Sequence, residues 1–204
     1  GSLAQVLFIT RFFYPDTTVK AIIPYKKNQI HGTACFYFEN GKKQEEKTYR
    51  LGQPADDHFL YYPTGNKKAH FFYKNGKLEG KAVEWHENGN VKSERLYKNG
   101  QLNGTEKQPA VKIYDKDHHI FEIINMIQDK PQGLHTRYHP NGKESYRVFY
   151  SSGKKEGKEV FYNENGAILG EGRFFFGKAI GKHYMKHDNG KMSYEAFFDK
   201  KGSL

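Results

Sequence analysis

The chain repeats itself every 24 residues, and few folds tolerate that period. Gly41, Gly65 and Gly89 stand 24 residues apart, and so do Gly142, Gly166 and Gly190. One period before Gly41 lies Thr17, in Tyr14-Pro15-Asp16-Thr17, which parallels Tyr62-Pro63-Thr64-Gly65. One period before Gly142 lies His118, in a degenerate unit that begins near Tyr114. These eight anchors define eight units. Eleven residues past the anchors come Asn28, Gly52, Gly76, Gly100, Asp129, Gly153 and Gly177; the last unit has Lys201 there, followed by Gly202. Fifteen past the anchors come Gly32, Gly80, Gly104, Gly133, Gly157 and Gly181, with Asp56 in the second unit. Residues that tolerate left-handed backbone at fixed phase mark turns. The pattern predicts an all-β fold: an elongated repeat of eight ~24-residue β-hairpins forming a twisted antiparallel meander, an open solenoid-like sheet.

Turn chemistry predicts which side chains share a face. Pro15, Pro63 and Pro140 all sit two before the anchor. Proline there presets the first central position of a type I turn, and glycine takes the left-handed position that closes a three-residue loop. Tyr61 then opposes Lys67, and Trp85 opposes Val91. Counting alternately outward from the loop gathers two aromatic columns on one face. The first is Phe13, Tyr37, Tyr61, Trp85, Tyr114, Tyr138 and Tyr162, broken by Lys186. The second is Tyr25, Tyr49, Tyr73, Tyr97, Met126, Tyr150, Phe174 and Phe198. That face is the expected core.

Composition excludes several classes. The single cysteine, Cys35, rules out an internal disulfide framework and a thiolate metal site, and it reads as a small buried residue. No window approaches the roughly 20 apolar residues needed to cross a bilayer. Gly1-Ser2 reads as a cloning remnant, so a native signal peptide could precede it. The compartment stays open, with export to the periplasm favoured over the cytoplasm. Lys and Arg exceed Asp and Glu by 33 − 23 = 10, which suits an acidic partner. Lysines spread evenly over strand faces also serve to block edge-to-edge pairing.

Enzyme chemistry is not expected. No Ser-His-Asp elbow, phosphate loop or dinucleotide fingerprint occurs, and Gly170-Glu171-Gly172 reads as a strand irregularity. His118-His119 and the His183/His187 pair lack carboxylate or thiol ligands at zinc-like spacing, so no metal and no cofactor is expected. His86, His139 and His187 share the position three before the anchor and read as solvent-facing hairpin residues.

The segment Tyr73-Lys-Asn-Gly-Lys-Leu-Glu-Gly-Lys-Ala-Val-Glu-Trp-His-Glu-Asn-Gly89 resembles the MORN-repeat variant family. In that family an aromatic, an Asn-Gly turn, a second glycine four later and an aromatic before the next Asn-Gly recur every two dozen residues. The resemblance covers essentially the whole chain and departs from it around Ile113–Gln128. Bacterial chains of this kind resemble the YwqK-type antitoxin component of toxin–antitoxin modules, which implies binding and neutralising a partner toxin. Standard MORN arrays imply binding to proteins or to phosphoinositide-bearing membranes.

One unit breaks the rule. Gly89 and His118 are 29 apart, which places an inserted loop at residues 105–110. The organisation expected is a remnant at 1–2, repeats one to four over 3–104, the loop, and repeats five to eight over 111–204, as one continuous repeat domain. After the loop comes His118-His-Ile-Phe-Glu-Ile-Ile-Asn-Met-Ile-Gln128. Ile120, Ile124 and Met126 keep the parity of the aromatic face, while Phe121, Ile123 and Ile127 make the other face largely apolar. Elsewhere that second face is mostly polar, with apolar points at Phe36, Phe38, Tyr62, Phe72, Leu96, Phe149 and Phe161. Either the inserted loop or a bend between two four-unit halves covers this strand, or Phe121, Ile123 and Ile127, extended by Phe72, Tyr62 and Phe149, form a docking or dimerisation surface for a partner. The expectation is a non-enzymatic scaffold that recognises a protein, toxin-like or other. A peripheral binder of anionic lipid headgroups or cell-envelope polymers is the alternative, and nucleic acid is disfavoured because most aromatics are assigned to the core.

Overall fold

The computed structural model describes residues 7–200, so Gly1-Ser2, read above as a remnant, and the turn expected at Lys201 and Gly202 lie outside the described residues. The chain forms two compact units, one ending at Gly100 and one beginning at Gln101. The first contains β1 (Leu7–Phe13), β2 (Val19–Lys26), β3 (Gln29–Ile30), β4 (Gly32–Tyr37), β5 (Lys43–Arg50), β6 (Gln53–Tyr61), β7 (Lys67–Lys74), β8 (Lys77–Leu78), β9 (Gly80–Trp85) and β10 (Val91–Lys98). The second contains β11 (Gln101–Leu102), β12 (Val111–Tyr114), β13 (Ile120–Ile127), β14 (Lys130–Tyr138), β15 (Glu144–Ser151), β16 (Lys154–Tyr162), β17 (Ile168–Phe175), β18 (Lys178–Lys186) and β19 (Met192–Phe198). Within each unit, successive long strands pair antiparallel, with the two-residue β3 and β8 paired to β2 and β7, which also pair with β4 and β9, and the sheet does not close into a barrel.

The turn columns do what their residue types require. At the anchor, Gly65 donates its N–H to the Tyr62 carbonyl at 2.8 Å, and Tyr62 donates to the Asn66 carbonyl at 2.8 Å. That is the three-residue loop, with Gly65 at φ +97°. Thr17 and His118, the two degenerate anchors, adopt the same left-handed backbone. The second column forms two-residue turns with both residues at positive φ, as at Asn75-Gly76 between Lys74 and Lys77. This primed turn matches the right-handed twist of the strands it joins.

The facing expected from simple alternation is wrong on one side of every hairpin. Tyr61 opposes Lys67, as the loop requires, but Leu60 opposes Ala69, so Lys67 and Lys68 together face one residue. The same two-for-one bulge follows each of the eight anchors. A bulge of this kind adds twist and shifts the parity of everything beyond it. The two aromatic columns therefore lie on opposite faces. Tyr73 approaches His58, with ring centroids 6.3 Å apart, while Tyr61 stacks on Phe59 and donates its hydroxyl to Glu46. Phe36 and Phe161 move onto the face of the second column, where Phe161 meets Tyr146 at 4.9 Å. Ile120 and Phe121 both fall at the bulge and are exposed, leaving Ile124 and Met126 on that face.

This core face is lined by small and paired polar residues rather than by a continuous aromatic stack. Four after one anchor and seven before the next, the chain places Ala21 with Ala34, Glu45 with His58, Ala69 with Ala82, Glu122 with His135, and Tyr146 with Glu159. The alanines are buried, and each polar pair is hydrogen bonded. Buried polar groups persist where they satisfy each other. His58 donates through Nε2 to Glu45 at 2.8 Å, while its Nδ1 finds no hydrogen-bond partner among the described residues.

Burial holds the His58 imidazole below its ordinary pKa, against the upward pull of Glu45. A histidine with a depressed folded pKa gives stability that is full above its unfolded value, about 6.5, and falls as pH drops through the folded one. Unfolding free energy measured between about pH 7 and pH 5 should therefore decline, and His58→Gln should flatten that slope. An unchanged slope in the variant would remove His58 from the account.

Candidate functional site

The other face, called the open face below, carries the departures from the repeat. On β13 Ile123 opposes Thr136 of β14, and on β14 Leu134 opposes Phe149 of β15. Leu134 is 39% and Phe149 46% exposed, although they are directly paired. The inserted segment folds beside them. Gly104 donates its N–H to the Met126 carbonyl at 2.7 Å, Gln108 donates to the Thr105 hydroxyl at 3.0 Å, and Ala110 donates to Asn125 Oδ1 at 3.3 Å. Asn125 is thereby buried, and its side-chain oxygen is satisfied by the loop. Between loop and sheet opens a cleft of about 350 Å³, lined by Glu106, Pro109, Ile123, Leu134, Tyr138 and Phe149 among others. Thr136, buried in its floor, donates to the Tyr138 hydroxyl at 3.1 Å.

The candidate residues separate accordingly. Ile123 and Phe149 meet in this cleft. Phe121 and Ile127 are exposed on the same strand but outside it. Phe72, in the first unit, borders a different cleft of about 540 Å³ with Arg50, Pro54, Asp56 and Tyr73. Tyr62 ties neighbouring hairpins together, because its hydroxyl donates at 2.6 Å to the Trp85 carbonyl one repeat on, as Tyr14 does to Tyr37. Hairpin stacking uses His139 in the same way, through Nε2 to the Tyr162 carbonyl at 2.9 Å, so this histidine is half-buried and not simply solvent-facing. Leu134 was not singled out by sequence. The signal was present, because the same position holds Asp57, Lys81, Lys158 and Lys182 in other units.

The titratable groups of the second unit's core face are committed to structure. Glu122 accepts from Arg137 Nε at 2.6 Å and from His135 Nε2 at 3.0 Å. Burial pushes the Glu122 carboxyl up, but the Arg137 and His135 hydrogen bonds outweigh it and hold the group below its usual range. Burial raises the Tyr146 hydroxyl well above its ordinary value, and its hydrogen bond to Glu159 adds to the effect. Glu159 is also paired with Lys155. Asp115, Asp117 and His119 cluster at a hairpin tip, but Asp115 Oδ1 already accepts the backbone N–H of Asp117 and His119, and its Oδ2 pairs with the His119 ring. The arrangement of the described residues is that of a scaffold of successive β-hairpins. Among the described residues no helix is long and apolar enough to cross a membrane.

Compared with known proteins, residues 30–50, 78–99 and 155–175 each match the model of the MORN repeat variant. No curated protein matches the chain.

Proposed function

We infer that this chain, a repeat protein of the MORN repeat variant family, acts by binding a protein partner through the open face of its second unit. The observation that carries the reading is the Leu134–Phe149 pair. Two large apolar side chains oppose each other, remain exposed, and border a cleft that the chain's own inserted loop flanks without filling. Apolar anchors beside a preformed cleft are how interfaces concentrate their binding energy. The antitoxin-like role implied by the resemblance is the specific form proposed: a surface that captures a toxin and performs no chemistry on it.

Anionic lipid or a cell-envelope polymer is the second reading, motivated by the net charge of +10. Against it, some of the lysines are already engaged, as in Lys43–Glu46, Lys81–Glu94 and Lys155–Glu159.

The test compares wild type with Ile123→Asp plus Phe149→Asp in capture from lysate of the producing cells. The variant is expected to lose its specifically retained protein, an effect of roughly ten-fold or more per hot-spot residue. A folded variant that keeps every partner would sink the proposal. Binding to anionic vesicles that collapses with a few-fold rise in salt would support the second reading instead.

A further inference from the structure

One row of the open face contains an electrostatic conflict that the other hairpins avoid. Seven of the eight hairpins oppose the residue eight before the anchor to the residue seven after it. The pairs are Ile9 with Pro24, Thr33 with Thr48, Asp57 with Phe72, Lys81 with Leu96, Leu134 with Phe149, Lys158 with Arg173, and Lys182 with Phe197. Only Lys158 and Arg173 set two like charges directly opposite, with Cβ atoms roughly 5 Å apart, an arrangement that destabilises a sheet. Both side chains are exposed.

The neighbouring carboxylates relieve only its lysine side. Glu171 lies 3.6 Å from Lys158 Nζ and also accepts the Tyr184 hydroxyl at 3.0 Å; Glu195 lies 3.5 Å from Lys182. The Arg173 guanidinium has no acidic partner among the described residues. Around it a cleft of about 190 Å³ is lined by Lys158, Arg173, Lys182, Glu171, Gly172 and Tyr184: three cations against one carboxylate. On the same face, across β15 and β14, lies the apolar pair Phe149 and Leu134, offset along the strands because Phe149 opposes Glu156, two residues before Lys158. Two strand spacings, roughly 10 Å, combine with the two-residue offset, roughly 7 Å, to separate the pairs by about 12 Å, which three residues of extended chain at about 3.3 Å each span with the reach of a glutamate side chain.

We propose that this row receives an acidic segment of a protein partner, with an apolar side chain at Leu134–Phe149 and a carboxylate between Lys158 and Arg173. The inference rests on the protein-binding reading above and adds the chemistry of the partner. A carboxylate seated there converts the like-charge conflict into a charge-assisted, two-sided contact, and a guanidinium can hold it bidentately.

The test uses fluorescence anisotropy with a fluorescein-labelled peptide that repeats leucine–glycine–glycine–glutamate, its glutamine counterpart, and vesicles of phosphatidylcholine with phosphatidylserine. The glutamate peptide is expected to bind about ten-fold tighter than the glutamine one, and Arg173→Glu to erase the difference. The same variant is expected to raise the thermal midpoint of the second unit, because Lys158 then faces an opposite charge. Loss of binding with gain of stability separates recognition from misfolding.

Equal binding of both peptides would overturn the acidic partner while leaving the apolar surface intact, whose own failure is read in the Ile123 and Phe149 variant. Binding of neither peptide, or vesicle binding abolished by Arg173→Glu without peptide binding, would overturn the inference; the latter assigns the row to lipid. A lowered midpoint in Arg173→Glu would make the residue structural and overturn it as well.

Discussion

Gly104→Val is expected to cost about 3 kcal/mol and to lower the melting transition of the second unit by roughly 12 °C or more. A Cβ at Gly104 would collide with the Ala110 nitrogen, the Gln108 carbonyl and Asn125 Oδ1. Two of these are backbone and the third is held by the Ala110 N–H, so no flexible side chain can move aside. The inserted loop must lift, and Asn125, 7% exposed, loses its partner. Peptide or partner binding at the adjoining cleft should fall with it, because Glu106 and Pro109 form part of its wall. Calorimetry checks the first effect. A midpoint within about 2 °C of wild type would mean that the loop does not rest on Asn125.

Glu122→Ala is expected to destabilise the second unit by about 2–4 kcal/mol, since it strips both His135 and Arg137 of their acceptor. Arg137 is half in solvent and can rehydrate, which keeps the loss below that of a fully buried pair. Denaturant unfolding of Glu122→Ala and Glu122→Gln measures it, and the glutamine variant, which retains an acceptor, should lose less. The pH dependence has a definite sign. A carboxylate with a depressed folded pKa gives stability that is full above its unfolded value, about 4.3, and is lost as pH falls through the folded one. Wild type should therefore weaken on acidification below about pH 4.3 more steeply than Glu122→Gln. Equal slopes would show that this carboxylate is not held ionised by the fold.

What the sequence exposes and what it hides follow from the same physics. The turns were legible because positive φ admits few residues, so Gly65, Asn75-Gly76 and Gly133 announce themselves at fixed phase. The three-residue loop was legible from Pro63 and Gly65. The bulge beyond it was not: Lys67 and Lys68 occupy conformations open to any residue, and no residue type marks the lost alternation. Every face assignment past that point inverted, carrying Trp85 and Tyr138 to the open face. The buried Glu122–His135 pair was equally hidden, since charged residues in a half-exposed strand read as solvent-facing until their partner 13 residues away is placed beside them. Gly170 and Gly172 looked like an irregularity; they make room for Met185 and the His183 ring. At the candidate site, Ile123 and Phe149 were recognised from their apolar character against a polar face. Leu134 and the Lys158–Arg173 opposition needed the register before they meant anything.

The face assignment underlies the binding surface, and solution NMR tests it directly through contacts in the second unit. Tyr138 should show nuclear Overhauser contacts to Thr136, whose hydroxyl lies 3.1 Å from its own, and Tyr150 should show them to His135, with ring centroids 6.1 Å apart. The leucine methyls of Leu134 should contact the ring of Phe149, its cross-strand partner. Contacts between the Tyr138 and Tyr146 rings would contradict the account, because they would place Tyr138 on the face of Tyr146 and Tyr150 and return Leu134 and Phe149 to opposite sides of the sheet.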